Sequence, residues 1–245
     1  MANWITHLMI ADAVMEALPQ LHRRGFCVGN IAPDCNVENA DWTAFTPPRE
    51  FTHWMRGERK QLSDCDGFLT AHVLPRRADP CSEEYAFLLG YYAHLLTDAA
   101  FQAMIRNEAR VRAVWARIHA DPVLMKHAAG LPETWDTVKR LIPKAARMKE
   151  IDTLEAEYLA QRPDSGFLTE ILPLTDFPDY IDYLPPGAIV RKIGVMGVLP
   201  RKHETAFVAF SREEYRAFVE DTVALVLQTF RGKGLLPAEN PEVEA

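Results

Sequence analysis

At 245 residues the chain is long enough to bury a sizeable core. Its net charge of -7 argues against a nucleic-acid-binding surface or a membrane-surface helix, both of which need clustered Lys and Arg. No run approaches the ~18 apolar residues that span a bilayer, and Met1-Ala2-Asn3-Trp4 and its sequel lack the basic-then-apolar pattern of a secretory signal, so a cytoplasmic location is expected.

Taken in chain order, the elements read as helices. Residues 4–24 carry His7, Ile10, Ala11, Val14, Leu18 and Leu21 on one stripe, which predicts a helix with His7 facing inward and Gly25 as its stop. A loop rich in Asn, Asp and Pro is expected over 27–49, and a loop of that length inside a compact domain is usually functional; this one carries Asp34. A further helix begins near Phe51 or Thr52.

Next comes a buried helix, starting after Asp79 and Pro80 and running to about Arg106. Its centre reads Tyr91-Tyr92-Ala93-His94-Leu95-Leu96-Thr97-Asp98, apolar on nearly every face except for an imidazole and a carboxylate. Residues at i and i+4 lie one above the other on a helix, so His94 and Asp98 can point at one ion. A carboxylate taken out of water needs compensation, and a coordinated cation supplies it; a structural His-to-Asp hydrogen bond is the alternative. His7, Asp34 and His53, each beside apolar neighbours, extend the set of candidate ligands to three His and two Asp.

Packing helices follow at 108–120 and at 132–148, the latter continuing through Leu159. Prolines and glycines make 162–204 irregular, with a short strand pair at 189–198. Phe177, Tyr180 and Tyr183 there form either a lid or a packed crossover. Ser211 and Glu214 form a capping box that opens a last helix to about Phe230, with Tyr215, Phe218, Thr222, Leu225 and Thr229 as its core stripe. One all-α domain over 1–235 and a loose acidic tail over 236–245 complete the expected organisation. The four cysteines, Cys27, Cys35, Cys65 and Cys81, form no CxxC pair and read as reduced, half-buried thiols. His22, His72, His119 and His127 read as surface residues, and Arg201-Lys202-His203 as a solvated basic cluster.

His7, Gly29-Asn30-Ile31-Ala32-Pro33-Asp34, Phe51-Thr52-His53 and Gly90-Tyr91-Tyr92-Ala93-His94-Leu95-Leu96-Thr97-Asp98, in that order, resemble the zinc-dependent phospholipase C family, which is similar in fold to the zinc-dependent single-strand nucleases. The resemblance implies a multi-helix bundle with a metal site between helices. It also implies hydrolysis of phosphoester bonds in a lipid or small molecule by a metal-activated water whose pKa falls to about 7. On the same ground His7, Asp34, His53, His94 and Asp98 are metal ligands for one or two zinc ions, Asp98 bridges where there are two, and Asp34 doubles as the catalytic residue. Other divalent transition metals also suit such ligands.

The chain departs from the family's pattern in two places. Secreted members use an amino-terminal Trp as a ligand, whereas Trp4 here follows three residues, and none of His119, His127 and His203 belongs to the His-x-x-x-Glu pair that supplies a third metal. Asn30 and Thr97 are candidate partners that orient a ligand, and Trp54, Tyr91 and Tyr92 either line the pocket or belong to the core. An HD-type phosphohydrolase is excluded by the absence of any His-Asp dipeptide. A related nuclease, disfavoured by the acidic balance, and a helical protein with a structural or degenerate metal site stay as alternatives.

Overall fold

The computed structural model describes residues 3–59, 63–77, 79 and 81–236. The acidic tail expected over 236–245 lies outside the described residues from position 237 onward. Among the described residues the architecture is all-α, with one two-stranded antiparallel pair.

Helix α1 (Trp4–Ala17) ends two residues before Pro19, whose ring displaces the preceding Leu18 from helical geometry. The expected continuation to residue 24 is therefore broken, and α2 (Arg23–Gly29) is a separate helix whose Gly25 amide donates to the His22 ring at 3.3 Å. Gly25 is not a helix stop. It lies in the first turn of α2, where a Cβ would collide with the carbonyl oxygen of Glu83. A 3-10 turn, Ala32–Asp34, follows.

The expected loop over 27–49 holds structure of its own. Strands β1 (Val37–Glu38) and β2 (Phe45–Thr46) pair antiparallel, Val37 opposite Thr46. Next come two short helices, α3 (Arg49–Thr52) and α4 (Cys65–Phe68), the latter capped by Asp64, which accepts from the Gly67 amide at 3.0 Å. A π-helical turn, Leu69–Val73, continues α4.

The central helix α5 (Glu83–Met104) is capped by Ser82, which accepts from the Tyr85 amide at 3.1 Å, rather than by Asp79. Its faces are buried over most of its length. Helices α6 (Glu108–Ala120) and α7 (Pro122–Ala128) begin at Asn107 and Asp121, side chains that take the orphan amides of the first turn. The helix expected over 132–148 is two, α8 (Trp135–Leu141) and α9 (Lys144–Gln161), because Pro143 forces Ile142 to φ -113 and ψ 102.

Within 162–204 there is a π-helical turn, Phe167–Ile171, and a regular helix, α10 (Ala188–Met196), in place of the expected strand pair at 189–198. Ala188, Ile189, Lys192 and Ile193 are the buried positions of α10, which is helical spacing. Lys192, only 2% exposed, reaches Glu38 of β1 at 2.6 Å and lies over the Trp42 and Phe45 rings, pinning the hairpin to α10. The capping box at Ser211 and Glu214 opens α11 (Arg212–Gly232). Its core stripe is Tyr215, Phe218, Thr222, Val226 and Phe230; Leu225 is 39% exposed and lies off the stripe.

A continuous apolar core runs from Trp4 to Leu235, with α5 at its centre and α1, α2 and α11 packed around it. All four cysteines are free thiols: Cys27 and Cys35 are fully enclosed, Cys65 is half-buried and Cys81 is exposed. Burial pushes the Cys27 and Cys35 thiols well up, so neither is a ready thiolate. None of the described helices is long and apolar enough to cross a membrane.

Candidate metal centre

Four elements bring the five candidate ligands together. His7 comes from the first turns of α1, Asp34 from the 3-10 turn after α2, His53 from the residue that ends α3, and His94 and Asp98 from the middle of α5. The three imidazoles and Asp98 are completely buried, and the Asp34 side chain is 8% exposed.

His53 Nε2 lies 3.3 Å from Asp34 Oδ1 and 3.6 Å from Asp98 Oδ2, and His94 Nε2 lies 3.5 Å from the same Asp98 oxygen. The other Asp98 oxygen, Oδ1, faces His7 Nε2 at 3.8 Å. The His7 ring stacks on that of His94 with centroids 3.8 Å apart and planes 4° from parallel. Two overlapping groups, His7-His94-Asp98 and Asp34-His53-His94, each keep their ligand atoms within 4.8 Å of one another.

Backbone carbonyls set the protonation of two rings. His94 Nδ1 lies 2.7 Å from the Asn30 carbonyl and His53 Nδ1 lies 3.0 Å from that of Arg49. A carbonyl oxygen only accepts, so each neutral ring carries its proton on Nδ1 and turns a lone pair inward at Nε2. The two Nε2 atoms are 3.3 Å apart, and the carboxylates beside them add further lone pairs. Such a convergence of nitrogen and carboxylate lone pairs is compatible with a bound cation.

The spacing also suits zinc. Ligand atoms arranged tetrahedrally at ~2.0–2.1 Å from zinc are separated by about 3.3 Å, and the contacts among His53, His94, Asp34 and Asp98 run from 3.3 to 3.6 Å. Nitrogen and carboxylate donors are those a borderline metal such as zinc accepts.

Residues 6–101 match the family model described as zinc dependent phospholipase C. The matched segment contains all five candidate ligands, and its similarity to that phospholipase C family agrees with the order of motifs in the sequence. No curated protein and no solved structure matches the chain.

Several partners of the candidate ligands were not legible as side chains. Asn30 does orient His94, but through its main-chain carbonyl, while its side-chain amide donates to the Phe26 carbonyl at 3.0 Å. The buried Thr97 hydroxyl makes no hydrogen bond among the described residues. Tyr91 is core: its hydroxyl donates to the Thr52 carbonyl, immediately before His53, and Tyr183 in turn donates to the Tyr91 hydroxyl at 2.9 Å. Tyr92 is core as well, stacked on Phe230.

Beside the ligand-bearing turn lies a cleft of about 750 Å³ walled by Phe51, Trp54, His72 and Tyr183, with Arg56 and Asp182 among its lining residues. None of the five ligands lines it. Trp54, directly after His53, holds φ at +50, a left-handed conformation that side chains rarely adopt. His72 is therefore not a surface residue but half of an aromatic cluster, stacked on Phe68 with centroids 5.0 Å apart, and burial lowers its proton affinity. His22, His119 and His127 are exposed. Phe177 and Tyr180 pack on Phe87, which makes this part of 162–204 a packed crossover. In the basic cluster, Lys202 reaches Glu157 at 3.4 Å and His203 reaches Asp152 at 3.8 Å.

Proposed function

We propose that this protein is a zinc-dependent hydrolase of phosphoester bonds, phospholipase C-like, with His7, Asp34, His53, His94 and Asp98 as the ligands of one or two ions. The observation that carries this reading is the pair of Nε2 atoms, 3.3 Å apart and turned inward by the Asn30 and Arg49 carbonyls, with two carboxylates at coordination spacing. When bound, zinc supplies Lewis acidity and makes water a nucleophile at neutral pH.

The chain's own residues do the rest. His53 and His94 offer nitrogen lone pairs held in one tautomer, and Asp98, with its oxygens turned toward different histidines, is the bridging group if two ions bind. Asp34 is the ligand with solvent access, so its carboxylate is assigned the proton of the attacking water. A cation coordinated by Asp34 makes it a weak base, and ligation is its first role. The substrate class is a lipid or small-molecule phosphoester. The net charge of -7 disfavours a nucleic acid.

Burial supports a second reading. A structural zinc is closed by four protein ligands whereas a catalytic one keeps a position for water, and four of these five side chains are completely enclosed. Elemental analysis of the purified protein beside a His94→Ala variant tests the ligand assignment, with zinc in the first and little in the second. Assays of the zinc-loaded protein on synthetic phosphodiesters and phosphomonoesters then separate the readings. Turnover that depends on Asp34 supports the hydrolase, and stoichiometric zinc without turnover on any phosphate ester supports the structural site.

A further inference from the structure

The face of α1 that carries His7 is anchored from outside the family-matched segment. Glu155 of α9 is 1% exposed and accepts the Thr6 amide at 3.0 Å, the Thr6 hydroxyl at 2.6 Å and the Asn3 side-chain amide at 3.1 Å. Asn3, the residue at the N-cap of α1, makes no capping bond with its own side chain. Glu155 thus does from a distance what a capping side chain does locally, accepting an orphan backbone amide proton of the first turn. The Thr6 hydroxyl lies 2.7 Å from the Tyr215 hydroxyl of α11, so helices from the carboxy-terminal half grip Thr6 from two sides. The next residue is His7, whose ring must lie flat on His94.

We infer that Glu155 is a positioning residue for the metal centre: by holding Thr6 it sets the rotation of α1 about its axis and so the placement of His7 over His94 and Asp98. The inference rests on the metal-site reading above. It accounts for a buried carboxylate far from the metal ligands in sequence, and it gives the carboxy-terminal half a share in the site. The hold on Thr6 calls for one acceptor oxygen on a side chain of this length, which Gln also offers and Ala lacks.

The test uses the full-length protein with Glu155→Gln, Glu155→Ala and Thr6→Val. Zinc affinity is read by competition with a chromophoric chelator, and the cross-peak between the His7 and His94 rings by NMR of the metal-free protein. Glu155→Ala is expected to bind zinc 10–100-fold more weakly, the range for loss of a group that orients a ligand, and to lose the cross-peak. Glu155→Gln keeps both. Folded Glu155→Ala with zinc affinity within twofold of the parent and an intact cross-peak overturns the inference. If Glu155→Ala does not fold, Thr6→Val decides, with several-fold weaker zinc binding in favour and unchanged affinity against. A parent protein that binds no zinc refutes the metal-site reading instead, and the cross-peak alone then judges Glu155.

Discussion

Gly29 of α2 and Gly90 of α5 touch backbone to backbone: a Cβ on Gly29 would overlap the Phe87 carbonyl oxygen and lie 2.8 Å from the Tyr91 amide nitrogen, and one on Gly90 would overlap the Phe26 carbonyl oxygen. One residue beyond Gly29, the Asn30 carbonyl accepts the His94 ring proton at 2.7 Å, and His94 is one turn beyond Gly90. The close approach of the two helices is what allows a main-chain oxygen to orient a ligand.

Gly29→Ala therefore has no room to form without separating the helices. We expect a loss of about 3 kcal/mol, the upper part of the range for overpacking, read as a lower urea midpoint. Zinc affinity should fall in parallel, because the Asn30 carbonyl moves away from His94.

Zinc should raise the thermal midpoint of the parent protein. A ligand held at a thousandfold above its Kd stabilises by about 4 kcal/mol. His94→Ala and Asp98→Ala should show almost no zinc-dependent shift, and a chelator should return the parent to the metal-free midpoint. A shift of equal size in His94→Ala would remove that residue from the ligand set.

Burial pushes the Glu155 carboxyl up from 4.5 to about 7, against the pull of its bonds from Thr6 and Asn3. The folded state thus binds this proton more tightly than the unfolded state. The resulting stability is complete below about 4.5 and is lost as pH rises through about 7, a difference on the order of 3 kcal/mol. Melting temperatures of the parent and of Glu155→Gln, measured from pH 5 to pH 8 without metal, should diverge in that direction. A constant gap between the two curves would contradict the assignment.

Tyr91→Phe leaves the buried Thr52 carbonyl without the hydroxyl that donates to it. The cost of such an orphaned group is about 1–3 kcal/mol. Tyr183→Phe removes the next link, and the two losses should not add, since both act through the Tyr91 hydroxyl. A double-mutant cycle in urea measures the coupling.

Much of the site was readable because its chemistry is rare in its surroundings. A His and an Asp at i and i+4 in an apolar helix stand out whatever packs against them, and the Ser211-Glu214 box and the helical spacing of 108–120 are likewise local. The failures share one cause. Gly25 has the form of a helix stop, yet it is the close approach of Glu83, 58 positions away by number, that excludes a side chain there. Residues 189–198 have the short apolar look of a strand, but burying Ile189, Lys192 and Ile193 on one side, with Glu38 waiting for Lys192, selects the helix.

The amino-acid sequence by itself determined the helical class, the pairing of His94 with Asp98 on one helix face and the family to which 6–101 are similar, since these depend on side-chain identity and on spacing along one element. Only the tertiary structure decided which carbonyl fixes each imidazole, where two glycines let helices meet, and that Glu155 holds α1 in place. Every backbone carries the same donors and acceptors, so a main-chain contact leaves no mark in the residue code, and its partner is known once distant segments have packed.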